Sequence, residues 1–414
     1  MISHDLYLTQ FQRFMKILKA LLGVIGFVGL LIAVVWISPY NYLIKGVRLV
    51  YLKGEKTANY MDWVDFDVRR IAAQNEQKNT TVLGTGSFKL NPALTSMLDK
   101  TNSGSYLIYR NDTLISENYF RGITDSTKTN SFSMAKTITT LLVQHAIQDK
   151  MIGSWDDKVI QYVPWITGKY ANEVTLRHLT TMTAGLDWDE SYVSPFGITA
   201  QAYYSNDIEK VMRTVTFANK PGEKFIYQSG ATQFLGFVLM NALEAHRKSN
   251  ANKSIKTYAS ISEYAQENLW KKIGAEYPAV WSLDKENGKE ITYCCFNSTA
   301  RDFGKLGSLV MHNGKNHLGE QVIDSTFLNI AQKPFKSEHY GHSFWLGKVG
   351  DIDISYFQGH NGQYIIMPKD NSNMVVVRTG HGKDKSNDEP VFNCVKSYIW
   401  YAKHPNSESL PKAK

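Results

Sequence analysis

The pattern of apolar and polar positions changes period several times along the chain, and each change marks a different kind of element. Residues 20–37, ALLGVIGFVGLLIAVVWI, are an uncharged run of 18 apolar residues or glycines, long enough to cross a bilayer as a helix. A secretory signal peptide would carry a shorter apolar stretch and then a small-residue cleavage site. Here the run ends in VVWISPYNY, so an uncleaved transmembrane anchor over 17–38 is predicted, behind a short tail, 1–16. Residues 39–56 mix apolar and basic side chains as a membrane-surface segment does, with Tyr40 and Tyr42 suited to the interface. With the polar approach that follows they make a juxtamembrane segment, 39–79. From 80 to 405 no linker rich in Gly, Pro or Ser divides the chain, which reads as one catalytic-sized domain with a tail at 406–414.

Inside that domain SYLIYRNDTLISENYF has two β-rich runs around Asn111 and Asp112, a hairpin signal. From 133 to about 300 helical spacing dominates. HSFWLGKV, DIDISYF, GQYIIMP and NMVVVRTG then read as successive strands, and EPVFNCVKSYIWYAKH as a closing helix that begins near Pro390. Strands at both ends with helices between them predict an α+β layered domain whose sheet is completed by distant parts of the chain.

Composition narrows the class. With 43% hydrophobic and 12% aromatic residues over 414 positions, the chain can bury a large core. Its net charge of +8 comes from Lys and Arg spread along the chain, with no nucleic-acid motif, which fits a basic surface facing an anionic membrane. Basic residues flank the apolar run on both sides, so charge alone leaves its orientation open. Cys294, Cys295 and Cys394 lack the spacing of a zinc site; a disulfide to Cys394 and free thiols are both open.

The candidate chemistry is in SFSMAKTITTLLVQHAIQDK, residues 131–150. Met134, Ile138, Leu141, Leu142 and Ala146 follow helical spacing, which puts Ser133 in the first turn and Lys136 on the same side. A serine hydroxyl is a poor nucleophile unless a base takes its proton, and a lysine serves only where burial and the helix N-terminus favour its neutral form. Ser282 with Lys285 and Ser409 with Lys412 match the same spacing, so company must decide. It comes downstream: Tyr227 and Ser229 precede an apolar run in PGEKFIYQSGATQFLGFVL, and His360, Asn361, Gly362 and Gln363 open a strand in YFQGHNGQYIIMP.

The order Ser-x-x-Lys, Tyr-x-Ser, His-x-Gly resembles the penicillin-recognising serine hydrolases, the superfamily of serine β-lactamases and penicillin-binding proteins. LRHLTTMTAGLDW and NSTARDFGKLGSLV resemble connecting elements of that family, and the ending YFQGHNGQYIIMPKDNSNMVVVRTG most resembles the class C β-lactamase-related branch of esterases and 6-aminohexanoate-dimer hydrolases. The resemblance implies a β-lactamase/transpeptidase-like fold, with an antiparallel sheet flanked by helices and a mainly helical subdomain. It implies that Ser133 forms an acyl-enzyme, Lys136 is the base and Tyr227 shuttles the proton. The backbone N–H groups of Ser133 and Gln363 would form the oxyanion hole, with Gly362 letting the strand approach substrate. His360 stands where the family often has lysine, and Ser229 where it has asparagine; both, with Asn361 and with Tyr192 in the GLDWDESY loop, are the expected substrate-binding residues.

The expected activity is cleavage of an amide or ester without metal or other cofactor. No nucleic-acid partner is expected; the partners are a small or peptide-like substrate and the membrane, with the catalytic domain on the extracytoplasmic side. A penicillin-binding peptidoglycan D,D-peptidase and a catalytically silent scaffold are the rival readings. His339 and His342 read as surface histidines, and Asp187, Asp189 and Glu190 as a solvated loop at the mouth of the site.

Overall fold

The computed structural model describes residues 2–55, 57–74, 82–84, 88–192, 194–251, 253–382 and 393–410. Its strands, in chain order, are β1 (Val68–Ile71), β2 (Val82–Leu83), β3 (Ser103–Arg110), β4 (Thr113–Tyr119), β5 (Thr129–Asn130), β6 (Ala279–Ser282), β7 (Phe296–Ser298), β8 (Trp345–Val349), β9 (Ile352–Gly359), β10 (Gln363–Pro368) and β11 (Met374–Gly380). Seven of them form one sheet in the order β2-β4-β3-β11-β10-β9-β8, antiparallel except where β2 lies parallel to β4. The two ends of the chain therefore meet at the centre, where β3 pairs with β11. A hairpin joins β3 to β4 through Asn111 and Asp112, both at positive φ (48° and 60°), as a right-twisted hairpin demands of a two-residue turn.

Side chains alternate across this sheet, and both faces are covered. Tyr106, Ile108, Tyr364, Ile366 and Val376 face α3 (Pro92–Lys100) and the C-terminal helix Asn393–Lys403. Leu107, Tyr109, Ile365, Val375 and Val377 face the rest of the domain. There the helix Ala300–Met311 lies close because Gly304 and Gly307 leave room for Tyr109 and for Val375 and Ile365. Burial on both faces explains why these strands read as nearly continuous apolar runs. The start of the closing helix expected near Pro390 lies outside the described residues; its described part begins at Asn393.

A second sheet, order β1-β6-β7-β5, was not foreseen; β6 and β7 lie in the region read as helical, β1 in the segment read as juxtamembrane, and β5 just before Ser133. Its strands are two to four residues long, too short for a period-2 pattern to show against helical neighbours. Between the sheets runs α4 (Met134–Gln148), buried from Met134 through Gln144 and packed on the helix Ser229–Ser249 and on β9.

At the N-terminus, α1 (Ile2–Ile37) contains a stretch, Thr9–Ile37, that is long and apolar enough to cross a membrane, and none of its apolar window is buried in the protein. After four intervening residues α2 (Tyr42–Leu49) turns Tyr42, Gly46 and Leu49 inward. The Tyr42 hydroxyl donates to the Pro195 carbonyl at 3.1 Å, and Gly46 sits against the Tyr204 ring. Residues 39–79, expected as a juxtamembrane segment, thus supply α2 and β1 to the packed structure.

The one disulfide among the described residues joins Cys294 to Cys295. A bridge to Cys394 is ruled out by the layers: Cys394 lies with the C-terminal helix on one face of the large sheet, and the adjacent pair belongs to the core on the other. His342, expected at the surface, is 2% exposed; its Nδ1 is 2.9 Å from Thr180 Oγ1, and burial lowers its pKa to about 4.

Candidate active site

Ser133 is the N-cap of α4 in an αR conformation, and its side chain makes no capping hydrogen bond. A serine at a helix start ordinarily spends its hydroxyl on a free backbone N–H. Here the Oγ accepts from Lys136 Nζ at 2.9 Å instead. Lys136 is 1% exposed, and its ammonium also donates to Ser229 Oγ and to the Tyr293 carbonyl, each at 3.0 Å. Burial lowers its pKa to about 8, and the Glu190 carboxylate opposes that shift. Near neutrality a useful fraction of this lysine is an unprotonated amine within reach of a hydroxyl.

The turn before Ser133 is held from two sides. Phe132 adopts a left-handed backbone, φ 44°, and its N–H donates to Asn130 Oδ1 at 2.8 Å. Asn130 Nδ2 in turn donates to Asp62 Oδ1 at 3.3 Å, while Asp62 Oδ2 accepts from the Tyr203 hydroxyl at 2.8 Å. Burial raises the Asp62 pKa to about 7. From the other direction Gly359, at the end of β9, lies so close to the Ser131 carbonyl that a Cβ would sit 2.1 Å from it. That contact brings the His360 turn beside the nucleophile.

The predicted partners converge unevenly. The Tyr227 side chain lies near Ser133, and its ring is 5.0 Å beneath the Lys136 ammonium, packed on Tyr340 and Trp345. Burial raises its pKa well above the usual range, so the hydroxyl keeps its proton. Ser229 opens the helix Ser229–Ser249 and joins the same network. The His360 ring stacks on Tyr192, centroids 5.1 Å apart, and meets Phe132 edge-on. Tyr192 reaches both Ser133 and Ser229.

The next three residues are engaged differently. Asn361 Nδ2 donates to the Ala58 carbonyl at 3.0 Å. Gly362 has φ +81°, and its missing side chain makes room for Arg378, whose Nη1 would be 2.4 Å from a Cβ and donates to the Gly362 carbonyl at 2.6 Å. The Gln363 side chain donates to the Gly380 carbonyl at 2.5 Å and accepts from its N–H at 3.1 Å. The glycine is thus required by the guanidinium packed under the turn, a reason distinct from substrate approach.

Two participants lay beyond the sequence reading. Glu190, read as part of a solvated loop, accepts from Ser229 Oγ at 2.5 Å, from the Ser229 N–H at 2.6 Å, from Trp188 Nε1 at 2.7 Å and from the Tyr192 hydroxyl. Its only local signal is the aromatic pair that brackets it in GLDWDESY. Tyr293 contributes a backbone carbonyl, for which no side-chain motif exists. The decoy serines carry no such company: Ser282 lies in β6 and accepts from Asn297, and Ser409 is outside any helix.

The sequence model of the Beta-lactamase family matches residues 93–390, well over half of the chain. The chain belongs to the Beta-lactamase family. Among curated proteins it is similar to the 6-aminohexanoate-dimer hydrolase of Paenarthrobacter ureafaciens, 21% identical over 271 residues, which are 61% of this chain and 64% of that protein. The match thus spans less than two thirds of that relative. Among solved structures it superposes on a protein of Bacillus anthracis provisionally named a 6-aminohexanoate-dimer hydrolase, with TM-score 0.67 and 19% identity over 91% of this chain and 97% of that one. A penicillin-binding protein of Bacillus halodurans superposes with TM-score 0.53 and 13% identity over 75% and 99% of the two chains. The fold is the one shared by serine β-lactamases and penicillin-binding proteins.

Proposed function

We propose that this protein is a membrane-anchored serine hydrolase that cleaves an amide or ester through an acyl-enzyme on Ser133. The observation that carries the reading is the Ser133 hydroxyl, free of capping duty, 2.9 Å from a fully buried lysine with lowered pKa. Ser133 Oγ bonds to the substrate carbonyl carbon as its proton moves to neutral Lys136. The backbone N–H groups of Ser133 and Gln363 stabilise the oxyanion. When the tetrahedral species collapses, the C–N or C–O bond breaks, and the leaving group takes that proton through the Tyr227 hydroxyl. Water then attacks the acyl carbon, its proton returns by the same relay, and Ser133 recovers its own. Glu190 is a positioning residue, holding Ser229 and Tyr192 around the lysine, and His360, Asn361 and Tyr192 contact the substrate.

α1 serves as the anchor, with the catalytic domain on the extracytoplasmic face. The Cys294–Cys295 disulfide supports that side, because such bonds persist in oxidising compartments. A catalytic domain protected from protease in intact spheroplasts would overturn the topology.

The activity is tested with a fluorophosphonate probe on the full-length protein, followed by mass spectrometry of the labelled peptide. The expected adduct is on Ser133 and is lost in Ser133→Ala. An adduct on Ser131 or Ser282 refutes the mechanism, and no adduct in folded protein favours the silent scaffold. A durable penicillin adduct on Ser133 would favour the peptidase.

A further inference from the structure

Ser133, Tyr192, Ser229 and His360 line a small cavity of about 80 Å³ over the nucleophile. It adjoins a larger groove of about 260 Å³, and five residues, Thr57, Tyr192, Ser194, Ala200 and Tyr204, line both. The outer wall of the groove is α2 and the turn after it: Leu43, Gly46, Val47, Val50 and Tyr51. Opposite them stand Pro195 and Phe196. These walls are mainly apolar, with hydroxyls of Thr57, Ser194 and the tyrosines as the polar groups.

The position of the groove adds a second observation. α2 starts at Tyr42, and the apolar stretch of α1 ends at Ile37. Four residues separate the two helices, and α2 itself is about 12 Å long, so the α2 wall of the groove follows directly on the end of the apolar helix. Around it Tyr40, Val47, Tyr51, Leu52 and Phe196 are between 43% and 77% exposed, an apolar surface beside the groove. Tyr40 and Phe196 meet edge to face across it, centroids 5.9 Å apart.

We infer that the substrate is an amphiphile of the membrane surface whose acyl part is an unbranched apolar chain, threaded along α2 with its ester or amide carbonyl at Ser133. The inference rests on the acyl-enzyme reading above and adds the substrate class to it. The chain belongs to the acyl side because the leaving-group relay, Tyr227, packs against Tyr340 and Trp345 rather than in the groove. Hydrolysis then releases a fatty acid and the alcohol or amine it was joined to, with one water consumed.

Full-length protein reconstituted in phosphatidylcholine–phosphatidylglycerol vesicles is assayed on p-nitrophenyl acetate, butyrate, octanoate and laurate. Each buried methylene contributes up to about fourfold in kcat/KM, so the octanoate-to-acetate ratio is expected to reach at least ~30. Val47→Asp and Phe196→Ser alter exposed groove positions outside the catalytic network. Both are expected to bring that ratio below ~5 and to leave acetate hydrolysis within about twofold of the parent, which also removes partitioning of the esters into vesicles as the cause. A flat chain-length profile with Ser133-dependent acetate turnover overturns the inference and leaves the hydrolase standing, as does a steep profile that neither substitution changes. Loss of fluorophosphonate labelling at Ser133 would instead defeat the hydrolase reading itself.

Discussion

Lys136→Met tests whether the buried lysine is the base. Methionine keeps a long unbranched side chain in a position that is 1% exposed, and it removes the titration. Burial lowers the Lys136 pKa from 10.5 to about 8; at ~1.4 kcal/mol for each tenfold change in proton affinity, holding the charged form in place costs about 3 kcal/mol. The sign follows from the order of the two values. Between pH 8 and 10.5 the unfolded chain still holds a proton that the folded protein has released, so the parent gains stability as pH rises through that window. The methionine variant has no corresponding gain. From pH 7 to pH 10 the parent is therefore expected to gain about 2.5 kcal/mol relative to Lys136→Met. Urea unfolding of the two detergent-solubilised proteins, followed by tryptophan fluorescence, measures the difference, in which other titrations common to both cancel. An offset constant to within ~0.5 kcal/mol would mean that Lys136 titrates in the folded state as it does in water, and the case for a neutral amine beside Ser133 would collapse.

The acylation rate should follow the same group, with kcat/KM rising as pH passes through about 8. Glu190 favours the charged lysine, so Glu190→Gln is expected to move that midpoint downward while lowering the plateau by loosening Ser229 and Tyr192. A midpoint that stays or rises in a pH–rate series would refute the coupling. Gly362→Ala should destabilise the protein by at least ~1 kcal/mol, because a Cβ at φ +81° meets Arg378 and the Gly382 carbonyl. Thermal melting of the variant checks this, and an unchanged melting temperature would show that Arg378 moves aside freely.

Much of the fold and of the candidate site could be read from the chain because the signals are local. The apolar run of 20–37, the Asn111–Asp112 hairpin and the helical spacing after Ser133 each depend on neighbours a few residues away, so period and turn chemistry reveal them. Ser133 and Lys136 are on one face of α4 by helical geometry alone. Glu190, the Tyr293 carbonyl and the Asp62–Asn130 brace depend on contacts between segments tens to hundreds of residues apart, and no period encodes those. The small second sheet escaped for a related reason: its strands find their partners through pairing rather than through their own pattern. Which side chains share a turn is thus a property of the sequence. Whether Lys136 loses its water, and so whether the Ser133 hydroxyl has a base, was decided only when Ser229, Tyr293 and Glu190 closed around it.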